Sequence, residues 1–211
     1  MEYELNDQDR ADLVKSFLQK YGYIIVGVIL VVAVGLGVNS LMQNHRAHVQ
    51  QNASIAYQAL LTSRQHGASP ASLKAAETEL IQNYPHTVYA SLTRLQLAAD
   101  ALAQNQLAEA EGQLTQALQD NRANALTPIV SLRLARVFLA DAKPEAALEL
   151  LKHPPTGFEA SYALLRGDAE LALNHRPEAE KAEETALAAS ANNPLIHQMA
   201  AARLNLLSSL S

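Results

Sequence analysis

Cysteine is absent from this 211-residue chain. A disulfide framework, a thiolate metal site, a cysteine nucleophile and lipidation on cysteine are therefore all excluded. Tryptophan is absent too, and phenylalanine occurs three times, so any core must be built from aliphatic side chains. There is no excess of basic charge: net charge is -5, with -2 in the first twenty residues and -3 in the rest. That balance leaves no electrostatic footprint for nucleic acid. Catalytic signatures are also missing. No glycine-rich phosphate loop, no G-x-S-x-G, no His-x-x-x-His and no His-Glu-x-x-His occurs. Ser and Thr are scattered without a paired base. His66, His86, His153 and His175 fall in expected turns, where solvated polar residues belong. Glu109 with Glu111, and Glu145 with Glu149, fall on exposed helix faces. The reading is a non-enzymatic protein with no cofactor and no metal.

What is present begins with Tyr21–Met42, YGYIIVGVILVVAVGLGVNSLM, which carries no Asp, Glu, Lys or Arg. A bilayer core about 30 Å thick is crossed by roughly 20 apolar helical residues, and a helix satisfies its own backbone in hydrocarbon. This stretch reads as a single transmembrane helix, 21–42. Gly27, Ala33, Gly35 and Gly37 are candidate packing positions within the membrane. A cleaved signal peptide would need a basic start and a small-residue cleavage site. The preceding residues are instead net acidic and no A-x-A site follows, so the segment reads as an uncleaved anchor. Lys15, Lys20 and Arg10 precede it and only Arg46 closely follows, which places the N-terminus in the cytoplasm and the C-terminal part across the membrane.

Residues 1–20 form a short acidic tail. Asn6 or Asp7 can cap a helix with Leu13, Val14, Phe17, Leu18 and Tyr21 on one face. Such a helix could lie at the membrane surface or serve as a docking signal. Residues 43–66 continue as a helical stalk entering the domain. His45 and His48 are three apart, but with no carboxylate beside them they read as a solvated face. Gly67 is a stop, Ser69-Pro70 starts a helix to about Asn83, and Tyr84-Pro85 ends it.

From there a repeat runs through residues 92–118, 131–151 and 163–187. Each unit is a helix, a short polar turn and a second helix. Ala98, Ala135 and Gly167 are small residues in the first helices. Twelve residues later come Ala110, Ala147 and Ala179, and seven beyond those come Ala117 and Ala186. The middle second helix is cut short at His153-Pro154-Pro155. Leu95, Leu132, Leu164 and Leu102, Leu139, Leu171 also align, with Asn105, Ala142 and His175 in the turns. Helices packing at 8–10 Å need small residues at the crossing, so this spacing sets close helix pairs. Such pairs bury their apolar faces only by stacking, as tetratricopeptide repeats do. Residues 195–210 form a last unpaired helix that would cap the stack. The fold class is all-α: one transmembrane helix, then a tetratricopeptide-like α-solenoid over 67–211 with a C-terminal capping helix.

The acidic tail, the span, and then NASIAYQALL, YASLTRLQLA, VSLRLARV and LLRGDAEL in that order resemble the YfgM family, the ancillary subunit of the SecYEG translocon. The resemblance covers essentially the whole chain. It implies a single-pass bacterial inner-membrane protein with a periplasmic tetratricopeptide domain. It also implies association with SecYEG and with the membrane-anchored periplasmic chaperone PpiD, and a role in handing exported polypeptides to chaperones. No binding residues carry over from the family. On the repeat register alone, Leu95, Leu102, Leu132, Arg136, Leu139, Leu164, Asp168 and Leu171 are candidates for the partner-binding face. A competing reading is a membrane-anchored regulator of an envelope stress response, acting through its cytoplasmic tail. A third is a structural protein released by cleavage of the span.

Overall fold

A computed structural model of the chain describes residues 42–120 and 125–209, together with Gly27. The tail 1–20 and the span 21–42, with Ala33, Gly35 and Gly37, lie outside the described residues except for Gly27 and Met42. Gly27 is helical and exposed. Among the described residues no helix is long and apolar enough to cross a membrane. The chain divides into two compact units, Met1–Gln51 and Asn52–Ser211. In the first, residues 42–51 are helical and almost entirely exposed, His45 and His48 included.

The second unit is all-helical among its described residues. It opens with α1 over residues 52–65, followed by α2 (Pro70–Asn83), α3 (Val88–Ala103), α4 (Leu107–Asp120) and α5 (Thr127–Ala140). Then come α6 (Pro144–Leu150), α7 (Glu159–Ala172), α8 (Arg176–Ala189) and α9 (Pro194–Ser209). Local chemistry sets the boundaries. The Ser69 hydroxyl accepts from the Ser72 N–H at 3.2 Å, and Pro70 takes the first helical position, where a missing N–H costs nothing. The Thr87 hydroxyl accepts from the Ala90 N–H at 3.2 Å to start α3.

Four turns share one geometry. Gly67, Asn105, Ala142 and Asn174 have φ of 71°, 57°, 53° and 61°. In each turn the next residue's N–H bonds the carbonyl five back: Ala68 to Ser63, Gln106 to Ala101, Lys143 to Phe138, and His175 to Glu170. This is the left-handed helix stop, which satisfies otherwise orphaned carbonyls. It corrects the repeat register in the third unit. Asn174 stands where Asn105 and Ala142 stand, and His175 is one residue beyond. It also shows that α1 and α2 form a helix pair with the same turn. Ala142 alone among the four lacks both a glycine's freedom and a polar side chain to support the left-handed backbone. Ala142→Gly is expected to stabilise the fold by about 1 kcal/mol, raising the urea midpoint without changing the slope; an unchanged or lowered midpoint would contradict this.

The core is a chain of overlapping layers. Ala98, Ala110, Leu114 and Ala117 pack with Val130, Leu134 and Val137, joining α3 and α4 to α5. Leu132, Ala135, Ala147 and Leu151 pack with Tyr162, Leu165 and Ala169, joining α5 and α6 to α7. Ala163, Leu164 and Ala186 pack with Ala200, joining α7 and α8 to α9. Every small residue of the repeat is buried. Each layer therefore needs the next helix pair, as a solenoid requires. Leu60, Leu80 and Ala90 form a separate layer under α1 to α3, with the Tyr57 and Tyr89 rings 5.6 Å apart.

The last helix also follows the register. Ala200 of α9 is buried and lies 33 residues after Gly167. α9 packs on α7 and α8 through Ala200.

Candidate partner-binding surface

The aligned leucines split into two sets. Leu95, Leu132 and Leu164 turn inward and are buried. Their counterparts seven residues later sit at the ends of α3, α5 and α7, three residues before the left-handed turns. There Leu102 is 42% exposed, Leu171 is 39% exposed and Leu139 is partly buried. Seven residues is nearly two helical turns but leaves a drift of about 20°, and the turn that follows leaves that end of the helix open. The same position thus presents a leucine to solvent in the first and third of these units, whereas Leu139 in the second packs against the core.

Arg136 is exposed. Asp168, the equivalent residue in the next unit, is partly buried and engaged. The Arg203 Nη1 of α9 donates to its Oδ1 at 2.7 Å. Arg203 also donates to Glu183 Oε1 at 3.1 Å and to the Leu164 carbonyl at 3.4 Å.

Glu183 is the residue that sequence reasoning missed. Leu114, Leu151 and Glu183 each lie four residues after Ala110, Ala147 and Ala179, and all three are completely buried. A carboxylate thus occupies the core position that leucine fills in the first two units. Gly167 makes the room: a Cβ there would lie 2.6 Å from Glu183 Oε1. Its counterparts Ala98 and Ala135 face leucines and can keep a methyl. Burial pushes the Glu183 carboxyl up from the ordinary carboxylate range, and Arg203 offsets part of that rise. Its Oε2 is buried without a hydrogen-bond partner. A raised folded-state pKa favours the folded protein at low pH, and that contribution is lost as pH rises through the folded value. Wild type is therefore expected to lose stability relative to Glu183→Gln as pH climbs from about 4.5 into the neutral range. Parallel urea melts across that range would check this, and a pH-independent difference would refute it.

A second feature lies at the other end of the stack. An open groove of about 1180 Å³ runs between α2, α3 and α4. Leu97 and Asp100 from α3 and Gln104 just beyond its end line it, with Lys74 from α2 and Gln113 and Gln116 from α4. Arg94 is buried at its base, donating to Gln113 at 3.2 Å and to Asp120 at 3.1 Å. Arg64 of α1 bridges Glu77 of α2 and Asp100 of α3, the latter at 2.9 Å. Gln113 and Gln116 accept from Arg94, and Gln113 also donates to Glu109 at 2.8 Å, so these amides belong to the groove's own hydrogen-bond network. The run QNQ at 104–106 was the available sequence signal. Among the described residues no cluster of His, Asp or Glu could hold a metal.

The chain matches the family model described as a tetratricopeptide repeat-like domain over residues 15–209. It is 33% identical to the ancillary SecYEG translocon subunit of Escherichia coli, covering 99% of this chain and 100% of that protein. Proteins of the same name from Haemophilus influenzae and Neisseria gonorrhoeae are 29% and 28% identical. The alignments cover 97% and 86% of this chain, and 99% and 87% of theirs. No solved structure gives a significant match.

Proposed function

The chain belongs to the family of ancillary SecYEG translocon subunits, and from that premise we propose that it is a non-catalytic accessory subunit of the translocon. In this reading residues 21–42 anchor it in the bacterial inner membrane, with the tail 1–20 cytoplasmic. Residues 43–66 lift the repeats from the bilayer, and 67–211 lie in the periplasm. The repeats scaffold the transfer of exported polypeptides to a membrane-anchored chaperone such as PpiD. The mechanism is local concentration: holding a groove and a chaperone at one exit raises their effective concentration without tight binding.

The observation that carries this reading is the near full-length likeness to translocon subunits, on a stack that keeps Leu102 and Leu171 exposed. Exposed leucines along the stack suit an extended apolar client segment.

Removing residues 1–20 separates this role from regulation through the tail. Full-length and truncated chains, purified from native membranes, should both retain SecYEG. Loss of SecYEG with the tail would instead make the tail the functional element.

A further inference from the structure

One core position sets the two ends of the stack apart from its middle. Glu77, Leu114, Leu151 and Glu183 each stand seven residues after the first residue of α2, α4, α6 and α8. All four are buried. Leucine fills the position in the two inner helix pairs, and glutamate fills it in the two outer ones.

The two glutamates are held alike. At one end a single nitrogen, Arg64 Nη2 of α1, donates to Glu77 Oε1 of α2 and, at 2.9 Å, to Asp100 Oδ2 of α3. At the other end a single nitrogen, Arg203 Nη1 of α9, donates to Glu183 of α8 and to Asp168 of α7. In the first clasp the glutamate is enclosed and the aspartate reaches solvent, their side chains being 6% and 40% exposed. Each arginine comes from an end helix that buries little else. α1 buries Ala53 and Leu60, and α9 buries Ala200 and Leu207, whereas α5 buries six residues.

The two kinds of joint behave differently on opening. Parting a leucine from its neighbours puts apolar surface into water. Parting an ionic clasp loses its Coulomb attraction, but the charges regain the hydration that burial removed. A clasp is therefore specific when closed and easier to open than a packed leucine joint. We propose that α1 is a releasable strap: it leaves α2 and α3 and docks again while α3 to α9 stay folded, with the Arg64 clasp as its latch. Local opening draws on the parts with the fewest buried apolar contacts, and α1 is such a part. Beneath it lies the layer of Leu60, Leu80 and Ala90, with the Tyr57 and Tyr89 rings paired beside it. Release parts the two rings, uncovers Ala90 and frees Glu77 and Asp100, both of which line the open groove. Because α1 is the first helix of the second compact unit, release also lengthens the chain leading to the repeats by the whole of α1.

The absence of cysteine allows a single thiol to report the opening. Ala90→Cys, on α3 beneath the strap, and Ala135→Cys, within α5, replace two alanines that are both 0% exposed. Each is made in the full-length chain and labelled with a maleimide in the absence of denaturant. The thiol at 90 should react about a hundredfold faster than the thiol at 135. Arg64→Ala should speed the reaction at 90 about tenfold or more and leave that at 135 unchanged. Arg64→Met with Glu77→Leu, which gives this joint the leucine of the inner pairs, should slow the reaction at 90 about fivefold or more below the wild-type rate. Equal rates at 90 and 135 would make the opening global and overturn the proposal. So would acceleration of both sites by Arg64→Ala. A double variant that opens as fast as wild type or faster would also overturn it, since the clasp would then be a plain stabilising contact. Amide exchange of the cysteine-free protein reads the same event without a reporter. A freed helix of this length is marginal alone, so α1 should exchange well ahead of α5, and exchange of the two together would again overturn the proposal. Neither readout involves the translocon, so the accessory role stands or falls separately.

Discussion

Arg203→Ala is expected to cost about 3 kcal/mol and to free the last helix from the stack. Removing one partner of a buried ion pair leaves the other charge uncompensated, at about 3–5 kcal/mol. The low end applies because the Arg203 side chain is itself 31% exposed. Glu183 would keep no cation, and it is wholly buried against Gly167. The damage should be local. Repeat stacks unfold by units and their interfaces, and Arg203 holds α9 to both α7 and α8. Hydrogen exchange should therefore rise in α9 and α8 while α3 to α5 stay protected. Replacing the pair together, as Arg203→Met with Glu183→Leu, should recover much of the loss, because a well-packed apolar pair can match a buried ionic one. Uniform loss of protection along the chain would contradict this account of the end lock.

Leu114→Ala is expected to cost about 3–4 kcal/mol, within the usual range for truncating a fully buried leucine. Leu114 is completely buried among Leu95, Val130 and Val137. It bridges α4 to both α3 and α5, so this cavity opens in the middle of the stack. The outcome should be loss of cooperativity: two thermal transitions in place of one, with the α1 to α4 part melting first. The contrast is with Leu102→Ala and Leu171→Ala. Those side chains sit at the same helical phase in their units but are exposed, and their loss should leave stability within about 0.5 kcal/mol. Equal destabilisation by Leu114→Ala and Leu102→Ala would show that Leu102 is a core residue and not a surface one.

Much of the stack was legible because its signals are local. Ser69-Pro70 and Tyr84-Pro85 bracket α2 through capping and ring constraints within a few residues. The spacing from Ala98 to Ala110, and its copies, encodes a close crossing that only small side chains permit. What escaped was what depends on residues distant in the chain. Nothing local says that Glu183 takes a leucine's place, since its partners come from Gly167 on α7 and Arg203 on α9. For the same reason Asp168, expected to face a partner, is held by Arg203. The turn phase at Asn174 depends on a backbone conformation rather than on side-chain type, and His175 beside it carried no contrary signal. Leu95 and Leu102 have the same composition and near-equal phase. Only the packed neighbours decide which is buried.

The central claim is that this chain acts beside SecYEG, with its repeats receiving exported segments. Site-specific photocrosslinking in native membranes tests it most directly. Probes would sit at Val34 in the span and at Leu102, Arg136 and Leu171 in the repeats. The account predicts adducts from Val34 to a translocon subunit or an anchored chaperone, and from the repeat positions to a chaperone or an exported chain. Silence at all four positions, with partners captured only through residues 1–20, would contradict it.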